Sequence, residues 1–229
     1  VKNFKSLKLI IFDLDGTLVD SSIDITNALN HALEPYGVVG AYCNTPLLAV
    51  EDTIKMVGEG LTRLVEKILG EENAKIKDDV LERFINYYSN HLTDYTRPYP
   101  GIKETLERLV GYKKAVISNK RESMSKNLLA QLGLLNFFDI VLGSDSVTER
   151  KPSPVPIKKV LETLNIMPED AIIIGDSNFD IQAGKSAGIT TIAVTYGYRD
   201  RDILKDADFM IDKIDQLFQI IGDRMGEVF

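Results

Sequence analysis

Two aspartates two residues apart, Asp13 and Asp15, close an apolar run from Leu7 to Ile11 that reads as a buried strand. Residues i and i+2 of an extended chain point to the same side. The two carboxylates are therefore crowded and repel unless a cation or a shared proton relieves them. Gly16 follows, and a glycine lets the backbone turn sharply and approach a ligand closely. Such a cluster suits a metal-assisted reaction with one carboxylate as nucleophile and the other as acid or base. The plain alternative is an acidic turn capping a helix, with Asp20 or Ser21 as N-cap.

Other reactive residues stand just beyond other apolar runs. Ser118 and Asn119 follow Ala115 to Ile117, Lys151 lies beyond Phe138 to Leu142, and Asp176, with Asp180 four residues later, follows Ile172 to Ile174. Each alone has an ordinary explanation: Ser118 or Asp176 as a helix cap, Lys151 as a solvated loop lysine. Their joint arrival after four different strands is what argues for a site.

The elements that must position these residues alternate. A helix over Ile102–Val110 leads to a strand at Lys113–Ser118, and a helix over Glu122–Leu132 leads to Phe138–Leu142. A helix over Val155–Leu164 leads to Ala171–Gly175, and one over Asn178–Ala187 leads to Thr190–Val194. A short strand, Phe209–Ile211, precedes a C-terminal helix. Strands apolar along their length and alternating with helices predict an α/β fold, a Rossmann-like parallel sheet with helices on both faces. Ligands in such sheets sit outside the carboxyl ends of the strands, where these residues fall.

Residues 21–96 break the alternation. Helical stripes run through Ile23–Leu33, Leu61–Leu69 and Val80–Leu92, and no convincing strand interrupts them. Arg97–Gly101, with two prolines and a glycine, reads as the hinge back. The expected organisation is a catalytic core of residues 1–20 and 97–229 with an inserted helical domain at 21–96.

The 229 residues suffice for a sizeable core, and 44% hydrophobic with 27% charged residues fits a globular protein. A net charge of −7 argues against a nucleic-acid partner. No run reaches membrane-spanning length, no signal-peptide pattern is visible, and the single cysteine, Cys43, forms no intrachain disulfide. A cytoplasmic protein, monomer or homodimer, without membrane or nucleic-acid partners is expected.

In order along the chain, D-x-D-G-T, a strand ending in Ser-Asn, Lys-Pro-x-Pro and G-D-x-x-x-D resemble the motifs of the haloacid dehalogenase superfamily. The resemblance implies that Asp13 attacks phosphorus and forms an aspartyl-phosphate. Asp15 would protonate the leaving alcohol and then activate water. Ser118, with Asn119 beside it and Gly16 and Thr17 in the turn, would bind the phosphoryl group, and Lys151 would pair with Asp13. Mg²⁺ would be held by Asp13, the carbonyl of Asp15 and Asp176, with Asp180 as a direct or supporting group. Mg²⁺ prefers hard oxygen ligands and shares its shell with phosphate, which is why carboxylates are needed.

The superfamily's dehalogenases lack the second aspartate, so Asp15 argues for a phosphatase, as does Thr17. The helical insert stands where one branch carries a cap domain. Val57–Leu61 resembles the Gly-x-Gly cap loop of phosphoglycolate phosphatases, with Gly58 and Gly60 letting amides approach a carboxylate and Arg63 or Lys67 supplying counter-charge. The alternative there is an ordinary glycine-containing helix start. The implied substrate is a small phosphorylated metabolite, 2-phosphoglycolate first. Pyrophosphate, sugar phosphates, nucleoside monophosphates, a β-phosphoglucomutase-like isomerisation and a non-catalytic binding role are the alternatives. His31, His91, Cys43 and the tyrosines Tyr87, Tyr88 and Tyr95 read as packing or surface residues.

Overall fold

A computed structural model describes residues 4–37 and 48–222; Cys43 lies outside the described residues. The chain divides into two compact units, Val1–Val19 with Pro98–Phe229, and Asp20–Arg97.

The first unit is built on a six-stranded sheet in the order β5-β4-β1-β6-β7-β8. Its strands are β1 (Leu9–Phe12), β4 (Lys113–Ile117), β5 (Ile140–Leu142), β6 (Ala171–Gly175), β7 (Thr190–Val194) and β8 (Phe209–Ile211). Every pairing is parallel. Two-residue strands β2 (Val19–Asp20) and β3 (Arg97–Pro98) pair where the chain passes between the units.

The apolar runs are explained by burial on both faces. Leu9 and Ile11, Ala115 and Ile117, and Ala171 and Ile173 share one face and pack on helices α7 (Val155–Leu164) and α8 (Asn178–Ala187). The alternate residues Ile10, Phe12, Val116, Ile172 and Ile174 are equally buried. A parallel strand covered on both faces has no polar side to show, so its sequence does not alternate. Helices α5 (Ile102–Arg108), α6 (Glu122–Gln131) and α9 (Leu217–Ile221) complete the unit.

Of the boundaries that differ from expectation, two have a visible cause. The ladder of β5 begins at Ile140, opposite Ala115, because the Phe138 ring instead meets the Phe12 ring edge-on at 6.1 Å. Helix α5 ends at Arg108, since Leu109 leaves helical geometry at ψ 44°.

β1 is central. The chain moves from it through β4 to β5, then returns across the sheet to β6 on its other side. The strand order reverses between β1 and β6, which opens a crevice beyond their carboxyl ends. Asp13 follows one of these strands and Asp176 the other.

The second unit is helical: α1 (Ser22–Leu33), α2 (Val50–Met56), α3 (Leu61–Leu69) and α4 (Lys77–Tyr88). Ile25, Ala28, Leu29 and Leu33 of α1, Leu64, Val65 and Ile68 of α3, and Val80, Phe84 and Tyr88 of α4 are its buried face. Asn30 fixes the chain entering α2 by bonding both the N–H and the carbonyl of Leu48. The buried Asp24 carboxylate accepts the Tyr95 and Thr96 amides and the Thr96 hydroxyl, tying the end of the unit to its beginning. Of the two cap candidates, Ser21 holds the N-cap position of α1 without a side-chain cap bond, and Asp20 before it takes the Ser22 amide at 3.1 Å.

Candidate active site

The backbone of Asp13 continues the ladder of β1, its N–H reaching the Ile174 carbonyl at 2.9 Å. The chain then turns: Leu18 and Val19 both donate to the Leu14 carbonyl, and the Gly16 N–H reaches back to Val19. Gly16 sits at φ +86°, a left-handed conformation that side chains resist. The turn sends the two acids to different cations. Asp13 Oδ1 accepts from Lys151 Nζ at 2.7 Å, and Asp15 Oδ1 from Lys120 Nζ at 2.6 Å. Separate counter-charges answer the repulsion implied by the spacing.

Lys151 is 3% exposed, and its ammonium meets three acceptors. They are Asp13 Oδ1, Asp180 Oδ1 at 2.6 Å and the Ile117 carbonyl at 2.7 Å. Three bonds match the three protons of an ammonium. Burial alone would favour the neutral amine, but Asp13 and Asp180 outweigh it and hold the lysine above its ordinary value. Asn119 donates its side-chain amide to the Lys151 carbonyl at 3.0 Å, so one residue expected to meet substrate also anchors the lysine's backbone. Ser118 is buried, its N–H bonded to the Leu142 carbonyl across the sheet.

Asp180 divides its oxygens. Oδ1 takes Lys151, while Oδ2 accepts the Ser177 amide at 3.1 Å and the Ser177 hydroxyl at 2.6 Å, a capping box that starts α8. Ser177, not Asp176, is thus the cap. Gly175 is required by closeness: a Cβ there would stand 2.2 Å from Asp180 Cγ.

Asp176 is left facing the crevice side of the turn. Its Oδ2 accepts the Tyr198 amide at 2.6 Å, and Thr17 Oγ1 stands 3.5 Å from Oδ1. Tyr196 donates its hydroxyl to the Thr17 carbonyl at 2.9 Å. A Cβ on Gly197 would fall 2.4 Å from the Gly16 carbonyl oxygen and 2.3 Å from Asp176 Cβ. The loop after β7 therefore packs on the Asp13–Thr17 turn.

Carboxylate oxygens of Asp13, Asp176 and Asp180 lie within 4.8 Å of one another. Burial, followed by the charge of Asp180, pushes Asp176 up to about 7. Burial also raises Asp13 well above the carboxylate range; Lys151 opposes the rise, and Asp180 and Asp176 add to it. One lysine does not neutralise three acids. The donor set is all hard oxygen and the uncompensated charge is negative, which fits a small divalent cation.

Gly58, Gly60 and Arg63 belong to the helical unit. Gly58 and Gly60 adopt φ +119° and +84°, and Gly60 begins α3. Arg63 pairs with Glu66 at 2.9 Å and Lys67 pairs with Glu59. His31 and His91 stack on either side of Tyr87, with ring centroids 4.3 and 4.2 Å away, and His91 Nδ1 lies 2.7 Å from Asp94. Tyr88 is buried, while Tyr95 is exposed.

Lys120 is the site's unanticipated part; Thr195–Tyr198 resembles the same segment of the family in sequence, with a surface loop as the alternative. The only signal for Lys120 was its place directly after Ser118 and Asn119.

The haloacid dehalogenase-like hydrolase pattern matches residues 10–194. A phosphoglycolate phosphatase from Aquifex aeolicus is 42% identical over 223 residues, 96% of this chain and 100% of that protein. Another, from Chromobacterium violaceum, is 36% identical over 226 residues, covering 96% and 98%. Among solved structures, a predicted phosphoglycolate phosphatase from Haemophilus somnus superposes with a TM-score of 0.85 at 30% identity, over 95% of this chain and 99% of that one. A haloacid dehalogenase-like family hydrolase from Streptococcus pneumoniae gives 0.81 at 28%, over 94% and 98%.

Proposed function

The chain belongs to the haloacid dehalogenase-like hydrolase family, and from that membership we propose a Mg²⁺-dependent phosphatase acting on 2-phosphoglycolate through an aspartyl-phosphate. It is a phosphoric monoester hydrolase. The observation that carries the mechanism is the separation of Asp13 and Asp15 onto Lys151 and Lys120. Two carboxylates with separate partners are placed for two roles.

In the first step an oxygen of Asp13 attacks phosphorus, the bond from phosphorus to the ester oxygen breaks, and Asp15, which enters this step as the carboxylic acid with Lys120 still donating to its Oδ1, gives its proton to the departing oxygen. In the second, Asp15 takes a proton from water as that water attacks phosphorus. The bond to Asp13 breaks, and Asp13 and inorganic phosphate are released. Lys151 stays against Asp13 through both steps, placing positive charge where phosphoryl oxygens gather it. The Ser118 hydroxyl orients the group being transferred, whereas the Gly16 and Thr17 amides are spent within their own turn, on the Val19 and Leu14 carbonyls.

Asp13, Asp176 and the Asp15 carbonyl would hold the metal, with Asp180 in support. When bound, Mg²⁺ screens the repulsion between an anionic nucleophile and an anionic substrate and stabilises charge on the phosphoryl oxygens. The raised carboxyls of Asp13 and Asp176 support this reading, because both would be expensive anions without a cation.

The substrate rests on the relatives' names at 42% and 36% identity and on the glycines before α3. The helical unit, in this reading, acts as the cap that chooses the ester. The test is phosphate release from phosphoglycolate, hexose phosphates, nucleoside monophosphates and pyrophosphate, with and without Mg²⁺, for wild type and Asp13→Asn. Phosphoglycolate should be preferred and Asp13→Asn should lose at least about 10³-fold in turnover. Isomerised sugar phosphate in place of stoichiometric phosphate would overturn the hydrolytic reading.

A further inference from the structure

We propose that Lys120 is a positioning residue for proton transfer, fixing the Asp15 carboxyl where it meets the leaving oxygen. The inference rests on the phosphatase reading above and adds to it a residue outside the four motifs. Lys120 is anchored from both sides of its backbone. Its N–H donates to Ser118 Oγ at 3.1 Å, and its carbonyl accepts the Ser144 amide at 2.9 Å. The segment beyond β4 thus delivers three consecutive side chains to one site: Ser118, Asn119 onto the Lys151 carbonyl, and Lys120 onto Asp15.

The Lys120–Asp15 pair is largely withdrawn from water, with side-chain exposures of 8% and 12%. A lysine usually keeps its ammonium in solvent and buries only its stem. Here the ammonium is turned inward onto a carboxylate 105 positions away in sequence. Asp15 stands on a turn, outside the ladder of β1, and a short side chain on a turn has several rotamers open to it. The Lys120 hydrogen bond to Oδ1 selects one, in the carboxylic acid as in the carboxylate. Proton transfer demands hydrogen-bond reach between acid and leaving group, so a wandering carboxyl would cost rate and not binding. Lys151 cannot substitute, since its three donors already meet Asp13, Asp180 and Ile117.

A leaving group that needs no proton separates this role from a structural one. The first step with p-nitrophenyl phosphate releases a stable phenolate, whereas phosphoglycolate must release an alkoxide unless Asp15 protonates it. Lys120→Met and Lys120→Arg are compared with wild type by rapid quench, measuring transfer to Asp13 from both esters. Lys120→Met should slow transfer from phosphoglycolate ~100-fold with KM within about threefold, yet leave the p-nitrophenol burst within about threefold. Lys120→Arg should recover most of the loss.

Equal slowing with both esters would overturn the proposal in favour of a structural lysine. A loss confined to KM for phosphoglycolate would overturn it in favour of a substrate anchor. If Lys120→Met does not fold, Lys120→Gln takes its place in the same comparison: an unequal loss across the two esters supports positioning, and an equal one refutes it. A wild-type enzyme that hydrolyses these esters without a phosphorylated Asp13 would refute the parent mechanism instead, a separate outcome read in the same assay.

Discussion

A Cβ placed on Gly16 would stand 2.3 Å from Asp176 Oδ2. The residue after the paired aspartates and the aspartate just beyond β6 are thus in contact at the limit of backbone approach. Their strands, β1 and β6, are neighbours, and the turn at φ +86° brings the first chain segment against the second. Gly16→Ala meets both a strained φ and a collision. It should cost more than ~1 kcal/mol in urea-induced unfolding and lower kcat/KM roughly 100-fold by displacing the carboxylates. Wild-type kinetics in this variant would show that the contact has slack.

The Asp176 carboxyl gives a pH prediction whose sign is fixed. Its value is raised from 3.8 to about 7 by burial and then by Asp180. The folded chain then holds the proton more tightly than the unfolded chain. Without metal, this group's contribution to stability is full below about pH 4 and is lost as pH rises toward about 7. Asp176→Asn removes that loss. Metal-free, the variant should gain on wild type with rising pH, by on the order of a few kcal/mol at about pH 8. Saturating Mg²⁺ should erase the gain. Thermal melts across pH with chelator and with Mg²⁺ measure both; parallel profiles would contradict the cause given for the shift.

Asp180 and Asp176 should separate in a metal titration. Both Asp180 oxygens are engaged, by Lys151 and by Ser177. Asp180→Asn should therefore weaken Mg²⁺ binding only ~10-fold while costing roughly 2 kcal/mol or more of folding stability. Asp176→Asn should weaken binding by more than ~100-fold, beyond what a supporting group costs. Isothermal titration of the two variants decides, and the reverse order would make Asp180 the principal ligand.

The glycines before α3 offer a test of substrate choice. Gly58 at φ +119° resists any side chain, so Gly58→Ala should shift the loop. Arg63→Ala removes an exposed cation paired with Glu66. Each should reduce phosphoglycolate hydrolysis about tenfold while changing aryl phosphate hydrolysis less than threefold. Equal reductions would mean that the loop serves the helical unit's folding alone.

The parts of this site that were legible in the sequence lie at strand ends. Asp13, Ser118 and Asp176 each terminate an apolar run, and a parallel sheet collects such termini at one edge. Lys151 was legible only with its motif, because a loop lysine is otherwise ordinary. Three things escaped. Lys120 has no signature beyond following Ser118 and Asn119, and its partner was set by the turn at Gly16. The Thr195–Tyr198 segment resembles the family's in sequence, but nothing in its residue types says that its backbone packs on Asp176 and Gly16. Asp180 carries a motif, but the division of its oxygens depends on where α8 begins. The strand order was also hidden: periodicity identifies β1 without saying that it lies between β4 and β6.

The central place of β1 has a consequence for how the protein is made. Leu9 pairs with Lys113 on one side and Ala171 on the other, so this strand, once it has left a ribosome, waits for neighbours encoded far downstream. At roughly 5–20 residues per second, that wait is on the order of ten seconds. Until Lys151 and Asp176 have emerged, Asp13 is an ordinary carboxylate on a nascent chain. Reactivity thus awaits the emergence of Lys151 and β6, and a chain broken off before β6 carries the nucleophile but no means of using it.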